Sequence, residues 1–514
     1  MSRSSRFISG IGASYIGLAA NIAYSLAIVP IGLYYLGKDQ FGLWMLLVQL
    51  ATYLSVIELG MFGASARILI DYKDDKDGSA YAQVVTTTWA VLVVQAAIMA
   101  AASWLLAPLI VAVFNIPPPL HDIAIFLFGF LGFSTALATC FKVFSAILYA
   151  NQRIDLVVLL TALQLILSLF VVWPLLASGF GLTSVIWSFT ISTSTVSILS
   201  WLACIRLGLM PPRMRFTDVK FSTFGLLFRY GTDLLLIHVG SLLLEASQLM
   251  IVSRTMGLAA TATWSVSTKL FTLLYHMTAR IENTSMVFFS EMLVRGERDV
   301  LQLRFQQMYQ ITGSLALCGM LGAVALNPSF VTLWAGSDVL WPSINNWLIA
   351  ALLIINLLLR CHMDFAIHTK KVGLFRFLFF FESLAFVGAA LWAAPHFGFV
   401  GILTSSIVCA LVFRSAYSIS RTASYFCVPA FSVAFRWVGF LLTPSFAMTA
   451  AAITVPLIAE PLTSPITRAA VTATIILVAI ILIMYTVGLP KNVRHVFHET
   501  IQTFYFTALA ALRK

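Results

Sequence analysis

Lys269, His276, Arg280 and Asn283 stand in a mostly apolar stretch, at spacings of 7, 4 and 3. At about 100° per residue these fall within roughly 80° of arc on a helix, forming one polar stripe. From Lys269 to Arg280 the stripe climbs about 16 Å. Donors and positive charge arranged in this way suit an anionic, hydroxyl-rich cargo moving along a wall, which is binding chemistry rather than bond-making. Lys142 and Arg360 form a second set, each deep in an apolar run. Such a pair can clamp a diphosphate, Arg through bidentate hydrogen bonds and Lys as a point charge. Acidic residues lie at matching depths, Glu245 for Lys269, Asp233 for Arg280 and Glu58 for Lys142, while Asp364, four residues on, and Glu382 could neutralise Arg360. Two readings therefore stand side by side, contact with cargo or neutralisation inside the protein. Glu245 is the first choice for a titrating, ion-coupling group.

Those side chains need long helices to carry them. Of 514 residues, 60% are hydrophobic and 10% charged, against about 25% charged in an ordinary soluble domain. Such a stock cannot cover a water-soluble surface, so the expected fold is an all-α polytopic membrane protein. A span takes roughly 20 apolar residues, and about fourteen fit: 11–36, 41–66, 80–107, 123–149, 156–177, 183–205, 231–253, 260–290, 305–327, 342–366, 374–394, 399–418, 436–457 and 469–489. Runs this long exclude barrel strands, the alternative way to satisfy a backbone in lipid. Met1–Arg6 and the stretch after it resemble a secretion signal. The apolar run Ile11–Leu36 exceeds an h-region of about 7–15 residues and reads as the first span. A charge near the bilayer centre costs at least roughly 2.5–3.5 kcal/mol, so each intramembrane cation needs a reason.

The net charge of +11 is an orientation signal. Of the 31 Lys and Arg, 25 fall on the side of the N-terminus, whereas the opposite side holds Lys38, Arg254 and Arg468. Both termini are therefore expected in the cytoplasm, and no nucleic-acid partner is implied. The outward segments are short (Asn115–Asp122, Ser178–Thr183, Asn327–Pro342, Pro395–Gly401 and Ala459–Arg468) and hold few acids or bases. Neither a GxxxxGK[ST] phosphate loop nor an HExxH or GxSxG motif occurs, so ATP-driven work and hydrolysis have no home. The expectation is a transporter, not an enzyme, without a cofactor. The six cysteines form no CxxC pair and point to neither a disulfide framework nor a metal site. His495 and His498 make a poor metal site. Asp71, Asp74, Asp75 and Asp77 alternate with Lys73 and Lys76 as a solvated loop.

The chain also repeats. Gly37 and Trp44 recur as Gly257 and Trp264, Lys142 as Arg360, and Phe180-Gly181 as Phe397-Gly398, at offsets of 220, 218 and 217. Landmarks in this order suggest two six-helix lobes in parallel orientation, the arrangement of many transporters. They would span 1–205 and 231–418 around a central cavity, with a C-terminal helix pair in 419–489. The linker 206–230 is basic and sets Phe221, Phe224 and Phe228 at helical spacing beside Lys220 and Arg229, as in a short interfacial helix. The tail 490–514 reads similarly, with Val493, Phe497, Ile501 and Phe504 on one side. The first helix lacks Asp, Glu, Lys and Arg between Ile11 and Leu36.

The segment Tyr35-Leu36-Gly37-Lys38-Asp39-Gln40-Phe41-Gly42-Leu43-Trp44, the following Glu58-Leu59-Gly60 and the junction Phe228-Arg229-Tyr230-Gly231 resemble the multidrug/oligosaccharidyl-lipid/polysaccharide exporter superfamily. Within it the chain is similar to the polysaccharide-transporter branch, the O-antigen flippases, over roughly residues 8–420. The resemblance implies a two-lobed cavity opening alternately to each face. It would carry an undecaprenyl-diphosphate-linked oligosaccharide, of an O-antigen or exopolysaccharide, outward across a bacterial inner membrane. Partners would be the lipid-linked glycan, membrane lipids and polysaccharide assembly machinery. The extra helix pair is similar to that of lipid II flippases, although cations are missing from the first helix here. Proton-coupled multidrug exporters carry a first-helix acid that this chain also lacks. Lys142 and Arg360 would meet the diphosphate, while Lys269, His276, Arg280 and Asn283 contact diphosphate or sugar deeper in.

Overall fold

The computed structural model describes residues 3–72, 79–211, 218–369, 374–433, 439–460 and 464–489, all helices and connections without a strand. In chain order these are α1 (Arg3–Tyr53), α2 (Met61–Tyr72), α3 (Ser79–Val113), α4 (His121–Ala150), α5 (Ile154–Ala177), α6 (Thr183–Arg206), α7 (Phe221–Met256) and α8 (Leu258–Ser267). There follow α9 (Lys269–Arg295), α10 (Arg298–Ala335), α11 (Ile344–His368), α12 (Phe375–Cys409), α13 (Ala416–Phe426), α14 (Leu442–Ala459) and α15 (Pro465–Ile483). Ten segments among the described residues are long and apolar enough to cross a membrane. The protein is an all-α, multi-pass membrane protein. The acidic loop at 73–78 and the tail at 490–514, with His495 and His498, lie outside the described residues.

Two of the ten segments contain a kink where the sequence places a turn between spans. In α1 the break is Gly37, at φ 70° and ψ −179°; in α12 it is Gly398, at φ 57°. A side chain is strained at such positive φ, so glycine is the residue that turns the chain there. The repeat partners match: Gly257 has φ 88° and ψ 178°, and Gly181 has φ 56°. Trp44 and Trp264 are likewise both buried.

The chain divides into two compact units, residues 1–265 and 266–514. Helix α7, which the expected limits of 205 and 231 place after the linker, packs against α1, α2 and α3 of the first unit. The linker also differs. Among its described residues, Phe221, Phe224 and Phe228 open the continuous helix α7, with neighbouring rings 5.7 Å apart.

In unit 1, α3 and α4 pack most closely. Small residues allow it: a Cβ on Gly132 would clash with Cβ of Ser103, whose hydroxyl donates to Gly129 O at 3.2 Å. Lipid supplies no hydrophobic drive between helices, so close backbones and such hydrogen bonds hold the bundle. In unit 2, α10 is the central post, touching α9, α11, α14 and α15. Its most apolar stretch is 61% buried, against 11% for α15 at the periphery. Phe305 anchors one end of this core, against Phe289, His362, Phe365 and Phe426.

Candidate functional site

In unit 1 the second predicted span is not one helix. It breaks at a 3-10 turn, Leu54–Glu58, followed by Leu59 at φ 50° and Gly60 at φ 71°. A broken helix exposes polar backbone that lipid cannot satisfy. Here Gln95 of α3 donates from Nε2 to the carbonyl of Glu58 at 3.2 Å. The Glu58 carboxylate, 9% exposed, takes an ion pair from Lys142 of α4, whose side chain is 36% exposed. Thr139, one turn before Lys142, lies 3.5 Å from the same carboxylate. Lys142 is therefore neutralised on one side and open on the other, and Gln95 and Thr139 join a centre that sequence reasoning assigned to two residues.

Unit 2 holds a larger centre on α9 and α11. Arg360 Nε lies 3.2 Å from Glu282 and 3.3 Å from Asp364, and its Nη2 donates to Asn283 Oδ1 at 3.0 Å. Glu282 is fully buried, Asp364 is 26% exposed and Arg360 33%. Tyr275 also interacts with Arg360. Two carboxyl groups share one guanidinium, so the centre carries an excess negative charge unless one of them holds a proton. Asp364 is a partner expected from the sequence. Glu282 was missed because it sits on the face opposite the stripe, although an acid inside an apolar run is itself a signal.

Glu382 does not neutralise Arg360. Its carboxylate is fully buried and binds Arg414 at 2.7 Å, and Arg414 also donates to Asn356 at 2.8 Å. The reason is register: Arg414 lies in a π-helical stretch, Ala410–Ser415, that places its guanidinium over the ring of Phe379. With Arg414 only 10% exposed, the pair ties α12 to the stretch that follows it, Asn356 joins α11 to them, and little surface is left for a cargo.

The stripe on α9 does form one face. His276, Arg280 and Asn283 are exposed and Lys269 is half-buried, whereas Thr278, Ala279, Glu282, Met286 and Phe289 on the opposite side are buried. Within unit 2, among the described residues, no carboxylate lies within 4.0 Å of Lys269 or Arg280. Of their expected partners in unit 1, Glu245 is exposed and the side chain of Asp233 lies outside the described residues. The predicted eighth span is interrupted just before the stripe, where α8 ends at Ser267 and α9 begins at Lys269. Asn327 of α10 donates to the carbonyl of Ser267 at 3.0 Å, and the Ser267 hydroxyl reaches Val339 O at 3.1 Å. No group of three or more His, Cys, Asp or Glu able to hold a metal occurs among the described residues.

Solved structures share this architecture. A lipid II flippase, MurJ, in an inward closed conformation aligns with a TM-score of 0.70 at 13% identity, over 93% of this chain and 99% of its own. An inward-facing multidrug resistance MATE transporter of the MOP superfamily gives 0.63 at 13% identity, over 80% and 95%. A MOP-superfamily transporter from Pyrococcus furiosus gives 0.56 at 16% identity, over 81% and 96%. At these identities the likeness is one of fold. No curated protein matches the sequence. A protein family does, described as polysaccharide biosynthesis protein and matching residues 35–342. With the match covering more than half of the chain, and with the broken helices and paired intramembrane charges already in view, the chain belongs to the polysaccharide biosynthesis protein family.

Proposed function

We propose that the protein is a flippase that moves a lipid-linked oligosaccharide, carried on undecaprenyl diphosphate, from the inner to the outer leaflet of a bacterial inner membrane. Both termini lie in the cytoplasm, as the loop charges favour. One observation carries the reading: on α9, His276, Arg280 and Asn283 are exposed and Lys269 is half-buried, and among the described residues neither Lys269 nor Arg280 is paired with an acid of its own unit. Membership of the polysaccharide biosynthesis family supports a glycan cargo. The fold shared with a lipid II flippase supports a lipid-linked one.

In this mechanism the exposed flanks of Lys142 and Arg360 receive the diphosphate, and the α9 stripe takes the diphosphate or sugar further along. An alternating-access movement then opens the passage outward. The membrane potential assists, because outward transfer of an anion gains about 2.3 kcal/mol per charge per 100 mV. The prenyl chain stays in lipid or beside α14 and α15.

The test is a strain lacking the gene, complemented with Lys269→Ala, Arg280→Ala and their combination. Membrane levels of each variant are measured alongside surface glycan. Normal glycan from the double variant would remove the anion passage. A drug or cation exporter of the same superfamily would instead confer resistance to lipophilic cations, unaffected by these changes. A lipid II-type cargo is the other alternative within this fold, and reconstituted vesicles offered each labelled lipid separate the two.

A further inference from the structure

A cavity of about 440 Å³ opens in unit 2 where α10 and α14 finish and α11 and α15 begin, well within the range of small-molecule sites. Its walls are mostly apolar, from Val324 to Pro328 on α10 and Ala452 to Leu457 on α14, with Trp347 of α11 between them. Asn346 also lines it and is only 1% exposed. The amide of Asn346 is held in one orientation. Its Oδ1 accepts from Trp341 Nε1 at 2.7 Å and from Asn327 Nδ2 at 2.8 Å, and an indole N–H can only donate. The other end of the amide, Nδ2, has no partner. A buried donor left in this state is costly, and this one belongs to a side chain that lines the cavity.

The remaining polar groups narrow the class of ligand. Ser329, Ser343 and Thr472 contribute hydroxyls. Arg468 and Glu460 both line the rim, and Arg468 Nη2 donates to the Glu460 carbonyl at 3.0 Å. One cation and one acid in the lining leave it without a net formal charge to favour an anion. An indole and two prolines offer faces for C–H groups, while the amide and hydroxyls suit a ring edge of alternating donors and acceptors.

We propose that this cavity binds a single neutral sugar ring, with Asn346 Nδ2 donating to a sugar oxygen and Trp347 providing the platform. On the orientation favoured by the loop charges, it faces outside. The site stands apart from both charge centres. Binding here is a separate property from lipid movement, so either can fail without the other.

The experiment uses the full chain purified in a detergent without a sugar head group. Saturation-transfer NMR is recorded with methyl α-glucoside, methyl α-galactoside and N-acetylglucosamine. Transfer to the ring protons of at least one sugar is expected. Asn346→Leu should weaken it about tenfold, the loss of one buried hydrogen bond. Because that change also strips an acceptor from Trp341 and Asn327, Ser343→Phe at the exposed rim serves as a second variant, expected to abolish the signal by blocking the mouth. Wild-type protein that gives no transfer from any of the three sugars would overturn the proposal. So would a signal equal in wild type and both variants, or native mass spectrometry in which only an anionic phospholipid is lost on Ser343→Phe.

Discussion

The two acid–cation centres, Glu58 with Lys142 in unit 1 and Glu282 and Asp364 with Arg360 in unit 2, use the same plan with different consequences. Each pairs a buried acid with a cation from a repeat-related helix position. In unit 1 one Lys meets one Glu, and the balance is neutral. In unit 2 one Arg must serve a fully buried Glu and a part-exposed Asp, and it spends a third contact on Asn283. A guanidinium can hold several oxygens in one plane where an ammonium offers a point charge. The second centre is therefore the more tightly built, and the first keeps its cation freer for a visitor.

The largest effect that could break this comparison is on Arg360→Ala. It leaves Glu282 buried and unpaired, at a cost of about 3–5 kcal/mol. A large fall in thermal midpoint and in membrane level is expected. Adding Glu282→Leu should restore much of the stability without restoring surface glycan, and a double variant as unstable as the single one would contradict the pairing. Lys142→Ala comes next, at about 2 kcal/mol, because Glu58 retains a small exposure and Thr139 nearby. Here glycan should fall further than stability; equal falls would make Lys142 purely structural. Capping of the broken helices is compared through Asn327→Leu and Gln95→Leu, with about 1–2 kcal/mol expected for the first and about 1 for the second. Asn327 serves both Ser267 and Asn346, whereas Gln95 serves Glu58 alone. Hydrogen exchange at Leu59 and Lys269 would locate each loss. Gly37→Ala, at φ 70° and ψ −179° where glycine alone sits without strain, tests the kink instead of a cap, with about 1–3 kcal/mol expected from unfolding midpoints.

Much of the architecture was legible beforehand, because apolar length and loop charge are properties of single segments. The kinks at Gly37 and Gly398 fall at predicted turns, and the polar stripe on α9 has the face that its spacing implies. What escaped was set by neighbours. The breaks after Glu58 and Ser267 interrupt runs that read as continuous, since their freed carbonyls are satisfied by Gln95 and Asn327 from another helix. Depth pairs Glu58 with Lys142 and a spacing of four pairs Asp364 with Arg360, whereas Glu382 binds Arg414, which lies in a π-helical stretch. The first two turns of α7 were read as a separate element, since their aromatic residues and basic flanks look interfacial by composition. Only packing tells that the helix continues through Arg229 without a joint.

That continuity has a mechanical meaning. Thirty-six residues make a rod about 54 Å long, longer than a bilayer core of roughly 30 Å, with bulky rings at one tip. A rod without a hinge transmits tilt: when its far end leans one way, the ringed tip must sweep the other. The ring of Phe221, 84% exposed, would therefore move with any tilt of the rest of α7.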